Sequence, residues 1–221
     1  MDLDFTRVIP FLPALLRGLA LSLELTAICM ILGSLVGLGL AFARRSSSRL
    51  VSLPATAYVE IFRGTPVLLQ LFWIFFCLPL IIGYEPSGFS SCVLALTLFT
   101  AAVTSETFRA ALRSVGREQY DAAAALGLSP LTRTVHVVLP QTLLRATPVL
   151  VSNLITLFKE SALVSAVGLA DLMVVGQNIS NTLGRPIELF TTVALVYFAL
   201  AFPLTRVVTV VERRLLRRLA L

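Results

Sequence analysis

The chain has 221 residues, 57% of them hydrophobic and 14% charged, where soluble domains run roughly 45–50% and about 25%. With a mean hydropathy of +0.91, that balance excludes a soluble enzyme and a secreted disulfide scaffold. No polar stretch is long enough to build a large extramembrane domain. A spanning helix takes about 20 mostly apolar residues, so there is room for roughly five or six with about half the chain to spare. The chain reads as an integral membrane protein.

The net charge of +6 and pI near 9.9 do not point to nucleic acid. The basic residues flank apolar runs, and no RNP-like or zinc-finger signature accompanies them. Cys29, Cys77 and Cys92 are odd in number, far apart and set in apolar runs, so they read as small buried hydrophobes. His136 is the single histidine, which leaves no histidine-based metal site.

In chain order, residues 1–17 carry Asp2, Asp4, Arg7 and Arg17 with Pro10 and Pro13. An acidic start without an A-x-A-like site before the first apolar run reads against a cleaved signal peptide. The first span is expected over 18–43. It is rich in leucine, broken only by Glu24, and carries Gly33 and Gly37 as a G-x-x-x-G that lets a neighbouring helix come close. Arg44, Arg45 and Arg49 end it in a serine-rich loop. The second span is expected over 54–82, its apolar heart at 66–82 and Glu60, Arg63 and Gly64 at its entrance. A short turn over 83–88 leads to a third span, 89–113, whose latter half carries Glu106, Arg109 and Arg113.

Residues 114–138 form the longest polar region between spans. The fourth span, 139–158, is interrupted by Pro140, Arg145 and Pro148. The segment 161–175 is apolar but short and contains Asp171, so a re-entrant or bundle-buried helix is expected there. The last span, 189–211, ends in a basic tail of Arg213, Arg214, Arg217 and Arg218. No internal repeat is visible, and the whole chain reads as one transmembrane domain. With five spans, thirteen of the 18 basic residues fall on one side. The positive-inside rule then puts the N-terminus outside and the C-terminus in the cytoplasm.

Lys159 is the only lysine, and Phe158 precedes it, so no G-x-x-x-x-G-K phosphate loop exists here. A catalytic triad has no histidine in a suitable place. Any ATP-driven work belongs to another chain. The informative stretch runs from Arg117 to Pro130. Alanines at 122–125 favour a helix, and Glu118 and Asp121 suit its N-terminal end. Gly127 can take the left-handed conformation that stops a helix, while Ser129 and Pro130 read as the N-cap and first residue of the next. A short helix with small side chains lets the groove of another protein close around it.

Asp121-Ala122-Ala123, Gly127, Val137 and Leu139-Pro140, at their spacing, resemble the EAA loop of ABC importer permeases, with Asp where Glu is usual and Val where Ile is usual. Tyr58-Val59-Glu60-Ile61-Phe62-Arg63-Gly64-Thr65-Pro66-Val67-Leu68-Leu69-Gln70-Leu71-Phe72 is similar to the Y-x-E-x-x-R-G-T-P-x-L-x-Q-L-F run of the polar amino acid branch (histidine, glutamine, arginine and opine types). Glu106 with Arg109, Leu139-Pro140-Gln141, Asn153 and Lys159-Glu160-Ser161 match further stretches of that branch. Gly116-Arg117-Glu118-Gln119, Ala162 and Leu154 depart from it. Coupling is left in place by these departures; the particular solute stays open.

The resemblance implies an all-α, MetI-like permease fold of five transmembrane helices plus a cytoplasmic coupling helix. It implies a bacterial inner-membrane subunit that moves a polar amino acid or related solute by alternating access. It also implies partners: a cytoplasmic ABC ATPase dimer that binds ATP and Mg, a second permease subunit, identical or paralogous, and a periplasmic or lipid-anchored solute-binding protein. Glu118, Asp121, Ala122, Ala123, Gly127, Leu139 and Pro140 would couple to the ATPase.

Each intramembrane polar residue carries two readings. Glu60 with Arg63, and Glu106 with Arg109, are either i, i+3 ion pairs or functional charges, and Glu106 is the acid placed to meet a substrate ammonium. Glu24 either contacts substrate or snorkels to the outer surface. Glu160 beside Lys159 begins the mixed segment after the fourth span; the resemblance implies a gate or path role for it, and the other reading gives it none. Thr104, Asn153 and Gln70 either line a cavity or hydrogen-bond between helices. Trp73 and the phenylalanines near it read as packing or lipid-facing groups. The alternative from another class is a gradient-driven transporter or channel, which would leave the alanine-rich helix without a client; a third is a scaffold subunit with no solute path.

Overall fold

The computed structural model describes residues 3–219, with side chains as far as Val208. Asp2 and the side chains of Arg213, Arg214, Arg217 and Arg218 lie outside the described residues. Every regular element among those described is helical. A 3-10 turn, Phe5–Phe11, leads into α1 (Leu12–Ala43). Then come α2 (Arg49–Gly64), α3 (Val67–Ile82), α4 (Gly88–Ser114) and the short α5 (Arg117–Ala125). They are followed by α6 (Pro130–Val167), α7 (Leu172–Leu183) and α8 (Pro186–Leu219). Four stretches are long and apolar enough to cross a membrane: α1, α4, α6 and Pro186–Val208 of α8. A fifth exists if α2 and α3 together count as one.

The core begins with α1 against α4. Because α1 is apolar all round, polarity does not select its inner face; side-chain size does. Its buried residues are Leu15, Gly18, Ser22, Leu25, Thr26, Cys29, Gly33, Gly37 and Ala41, a mostly small stripe at helical spacing. A Cβ on Gly33 would lie 2.7 Å from the Thr100 side chain. A side chain at such a site costs about 1–3 kcal/mol by overpacking. The closeness lets the Thr104 Oγ1–H be shared between the Thr100 carbonyl of its own helix at 2.8 Å and the Gly33 carbonyl across the seam at 3.0 Å. The same stripe receives α7: a Cβ on Gly18 would meet the Asp171 carbonyl at 2.9 Å, and Leu172 N donates to Ser22 Oγ at 3.3 Å.

The expected single span over 54–82 breaks in two, bent by 108° between Gly64 and Val67. Thr65 is extended, as residues before proline prefer, and Pro66 starts α3 without offering an N–H. Gln70 closes the elbow. Its Nε2 donates to the Phe62 carbonyl at 2.7 Å, the Thr65 carbonyl at 3.0 Å and Thr65 Oγ1 at 2.8 Å, which satisfies acceptors freed by the break.

The expected fourth span, 139–158, lies inside the longer α6, and Pro140 and Pro148 do not interrupt it. A π turn at Thr134–Val138 precedes Pro140 and absorbs its missing donor. The segment 161–175 is not one helix. It runs as a 3-10 turn, Ser161–Val167, stops at Gly168 with φ +76°, and restarts at α7. Asp171 is the fully buried N-cap of α7, its Oδ1 accepting from Val174 N at 2.9 Å.

Candidate functional site

Two groups of residues single themselves out, one at the exposed tip of the molecule and one between the helices that support it. At the tip, α5 ends as its sequence specifies. Gly127 has φ +73°, its N–H donates to the Ala124 carbonyl at 2.9 Å, and the Leu128 N–H donates to the Ala123 carbonyl at 3.1 Å. That is the Schellman arrangement. Ser129 Oγ then accepts from Thr132 N at 3.2 Å, capping α6, with Pro130 as its first residue.

Ala123 turns inward, 3% exposed, while Glu118, Asp121, Ala122 and Gly127 face outward. Leu139 is half-buried and Pro140 exposed. Two apolar residues not singled out from the sequence project beside them: Leu126 is 78% and Leu131 73% exposed. Their signal was present, as leucines in an otherwise polar loop. The loop is tied to the bundle by Gln141 Nε2, which donates to Gln119 Oε1 at 3.1 Å, and by Arg145 Nη1, which donates to the Ser114 carbonyl at 2.6 Å.

Deeper, Glu106 on α4 is the centre of an ionic group. Its Oε1 accepts from Arg44 Nη1 at 2.5 Å, and its Oε2 accepts from Arg109 Nε at 2.9 Å. Arg63 on α2 approaches to 3.6 Å. The i, i+3 pair of Glu106 with Arg109 forms as expected. Glu60 and Arg63 turn instead to partners on other helices, Glu60 standing 3.8 Å from Arg44. The reason is geometric: α2 packs against α4, its Tyr58 hydroxyl donating to the Leu98 carbonyl at 2.7 Å, so Arg63 comes beside Glu106 and Glu60 beside Arg44 just beyond α1. The Glu106 and Arg44 side chains are 17% and 9% exposed, and Arg44 was not foreseen as a site residue.

Of the other polar residues, Thr104 is fully buried in the α1–α4 seam. Asn153 Nδ2 donates to Thr107 Oγ1 at 3.0 Å across α6 and α4. Both therefore join helices. Glu24 lies exposed on α1 and Glu160 is half-buried at the end of the regular part of α6. With Glu106, these five residues are dispersed and do not form one cluster. A hollow of about 460 Å³ opens in the α2–α3 elbow, walled by Phe62, Leu69, Gln70, Trp73, Ile74 and Leu98, so Trp73 packs beside Gln70 there.

Residues 11–217 match the family described as binding-protein-dependent transport system inner membrane component. The chain belongs to that family. It is 36% identical to the arginine transport system permease protein ArtQ of Bacillus subtilis (strain 168), over 97% of this chain and 98% of that one. It is 32% identical to the glutamate/aspartate import permease protein GltK of Escherichia coli O157:H7, over 96% and 98%. Among solved structures, a chain from the crystal structure of an amino acid ABC transporter with histidines superposes with a TM-score of 0.89 at 32% identity, covering 97% of this chain and all of the other. A chain of the inward-facing MetNI methionine ABC transporter shares the fold, with a TM-score of 0.78 at 23% identity, over 93% and 98%. The chain is thus a permease subunit of an ABC importer, all-helical and MetI-like.

In this permease the Glu106 group makes a direct energetic demand. Breaking a largely buried ion pair by removing one partner costs about 3–5 kcal/mol. Glu106→Gln and Arg44→Gln are each expected to lower the stability of the purified protein by that order in a thermal or denaturant melt. Glu60→Gln, whose side chain is 64% exposed, is expected to stay within about 0.5 kcal/mol. Equal effects of all three would contradict the central place of Glu106.

Proposed function

We propose that this permease carries a polar amino acid, or a close relative such as an opine, inward by alternating access. ATP and Mg are bound by two cytoplasmic ATPases, a second permease subunit completes the path, and a periplasmic or lipid-anchored binding protein delivers the solute. On this reading five spans place the N-terminus outside and α5 in the cytoplasm. ArtQ is an arginine transport permease and GltK a glutamate/aspartate import permease, which supports the solute class.

One observation carries the coupling role. A nine-residue helix ends in a left-handed glycine, and Leu126 at its C-cap and Leu131 at the start of α6 stand exposed on either side of that turn. Exposed leucines beside small alanines at a rigid turn are what a partner's groove can enclose. Gly127→Val strains the turn, because a β-branched residue is a steric outlier at that φ, and Leu126→Asp leaves the turn intact but charges its apolar tip. Both are expected to lower the ATPase co-purifying with the tagged permease by about tenfold. Wild-type amounts on both variants would refute the coupling assignment.

The solute path is assigned to Glu24 and Glu160, with Thr104 and Asn153 as positions in the helix contacts around it. Glu106 suits the ammonium role less well than its sequence suggested, since both its oxygens are already held by arginines. Glu24 and Glu160 have no ion-pair partner among the described residues. In the reconstituted importer, Glu24→Gln or Glu160→Gln is expected to raise KM about tenfold through loss of a charge-assisted contact. An unchanged KM removes that carboxylate from the path.

A further inference from the structure

Three spanning helices have an end on the same side of the protein, around Tyr120, and the charges gathered there are unbalanced. Arg45 follows α1, Arg113 lies in the last turn of α4, Arg117 opens α5, and Arg133 lies in the first turn of α6. Arg45 and Arg133 both stand over the Tyr120 ring, their guanidinium carbons 5.4 and 5.8 Å from its centroid. Arg45 Nη1 also donates to the Tyr120 hydroxyl at 3.2 Å. None of the four arginines joins an ion pair among the described residues. The Arg133 Nε–H is buried without an acceptor.

Two hollows adjoin this ring. One, of about 320 Å³, places Arg45, Tyr120 and Arg133 over an apolar floor of Phe42, Leu112 and Val138. The other, of about 500 Å³, shares Arg45, Leu112 and Tyr120 and adds Arg113 and Arg117, with Asp121 on its wall. Two guanidiniums against one ring repel each other. The ring's quadrupole offsets only part of that repulsion; an anion between them reverses its sign. Arginine presents planar, forked donors that match phosphate oxygens. An apolar floor under a basic rim, at the level where spanning helices end, is the complement of a phospholipid: phosphate on the arginines, glycerol and upper acyl carbons on the floor.

We propose that this pocket binds the headgroup phosphate of an anionic phospholipid. The lipid bridges Arg45 beyond α1 and Arg133 in α6, and so fixes α5, which carries Tyr120, against the bundle. This holds whether or not α5 docks an ATPase.

The test uses the protein as extracted from its membrane, with the subunits it retains, then delipidated. It is titrated with phosphatidylglycerol, phosphatidylcholine or inorganic phosphate, and bound lipid is counted by native mass spectrometry. Phosphatidylglycerol is expected to be retained and phosphatidylcholine not. Arg45→Gln with Arg133→Gln is expected to weaken retention roughly thirtyfold, while Arg45→Lys with Arg133→Lys is expected to weaken it less, because the charge remains but the forked donors and ring stacking are lost. Equal retention of the two lipids, or undiminished phosphatidylglycerol on the glutamine pair, would overturn the proposal. Displacement of the lipid by inorganic phosphate at equal concentration would make this a free-anion site and overturn the lipid assignment. If the glutamine pair does not fold, the wild-type preference between the two lipids decides the matter.

Discussion

Where α1 crosses α4, Gly33 and Gly37 bring two backbones close enough for the Thr104 hydroxyl to donate to a carbonyl of the facing helix at 3.0 Å. The rest of the arrangement hangs from that contact. Arg44 follows Gly37 by seven residues, about two helical turns, so the seam sets where its guanidinium meets Glu106. Glu106 then draws Arg63, and with it α2, against α4. The last turn of α4 in turn sets where α5 begins. A larger residue in the seam would move the charges as well as the packing.

The charge group depends on this placement. A lone carboxylate between helices costs several kcal/mol to bury; here Arg44, Arg63 and Arg109, from the three segments that meet at it, compensate it. The elbow follows α2, where Gln70 satisfies the carbonyls that Pro66 leaves open. The elbow and the ionic group act together. One fixes the angle of α3 against α2, the other fixes α2 against the bundle.

Local chemistry was legible in the sequence wherever it is self-contained. Gly127, Ser129 and Pro130 specified a helix stop, a cap and a restart, and the structure has each of them. The G-x-x-x-G marked the seam because only small residues permit it. What depended on a distant partner was not legible. Arg44 reads as one more arginine ending an apolar run until Glu106, 62 residues on, is seen beside it. The bend within the stretch expected over 54–82 was missed for a different reason: Thr65-Pro66 carried the break signal, but continuous hydropathy outweighed it. Asp171 looked like an acid in an apolar helix, and is a cap because Gly168 had already ended that helix. Dispersion of Glu24, Glu106 and Glu160 over separate surroundings likewise required tertiary contacts to see.

The central claim is that energy reaches this permease through α5 from a partner that binds ATP. The most direct measurement is uptake of labelled polar amino acids into proteoliposomes holding either this chain alone or its complex with the co-purified ATPase, in the presence of the binding protein, with and without ATP and Mg. The account predicts accumulation only by the complex and only with ATP. Accumulation by the chain alone under an ion gradient, without the ATPase, would contradict it.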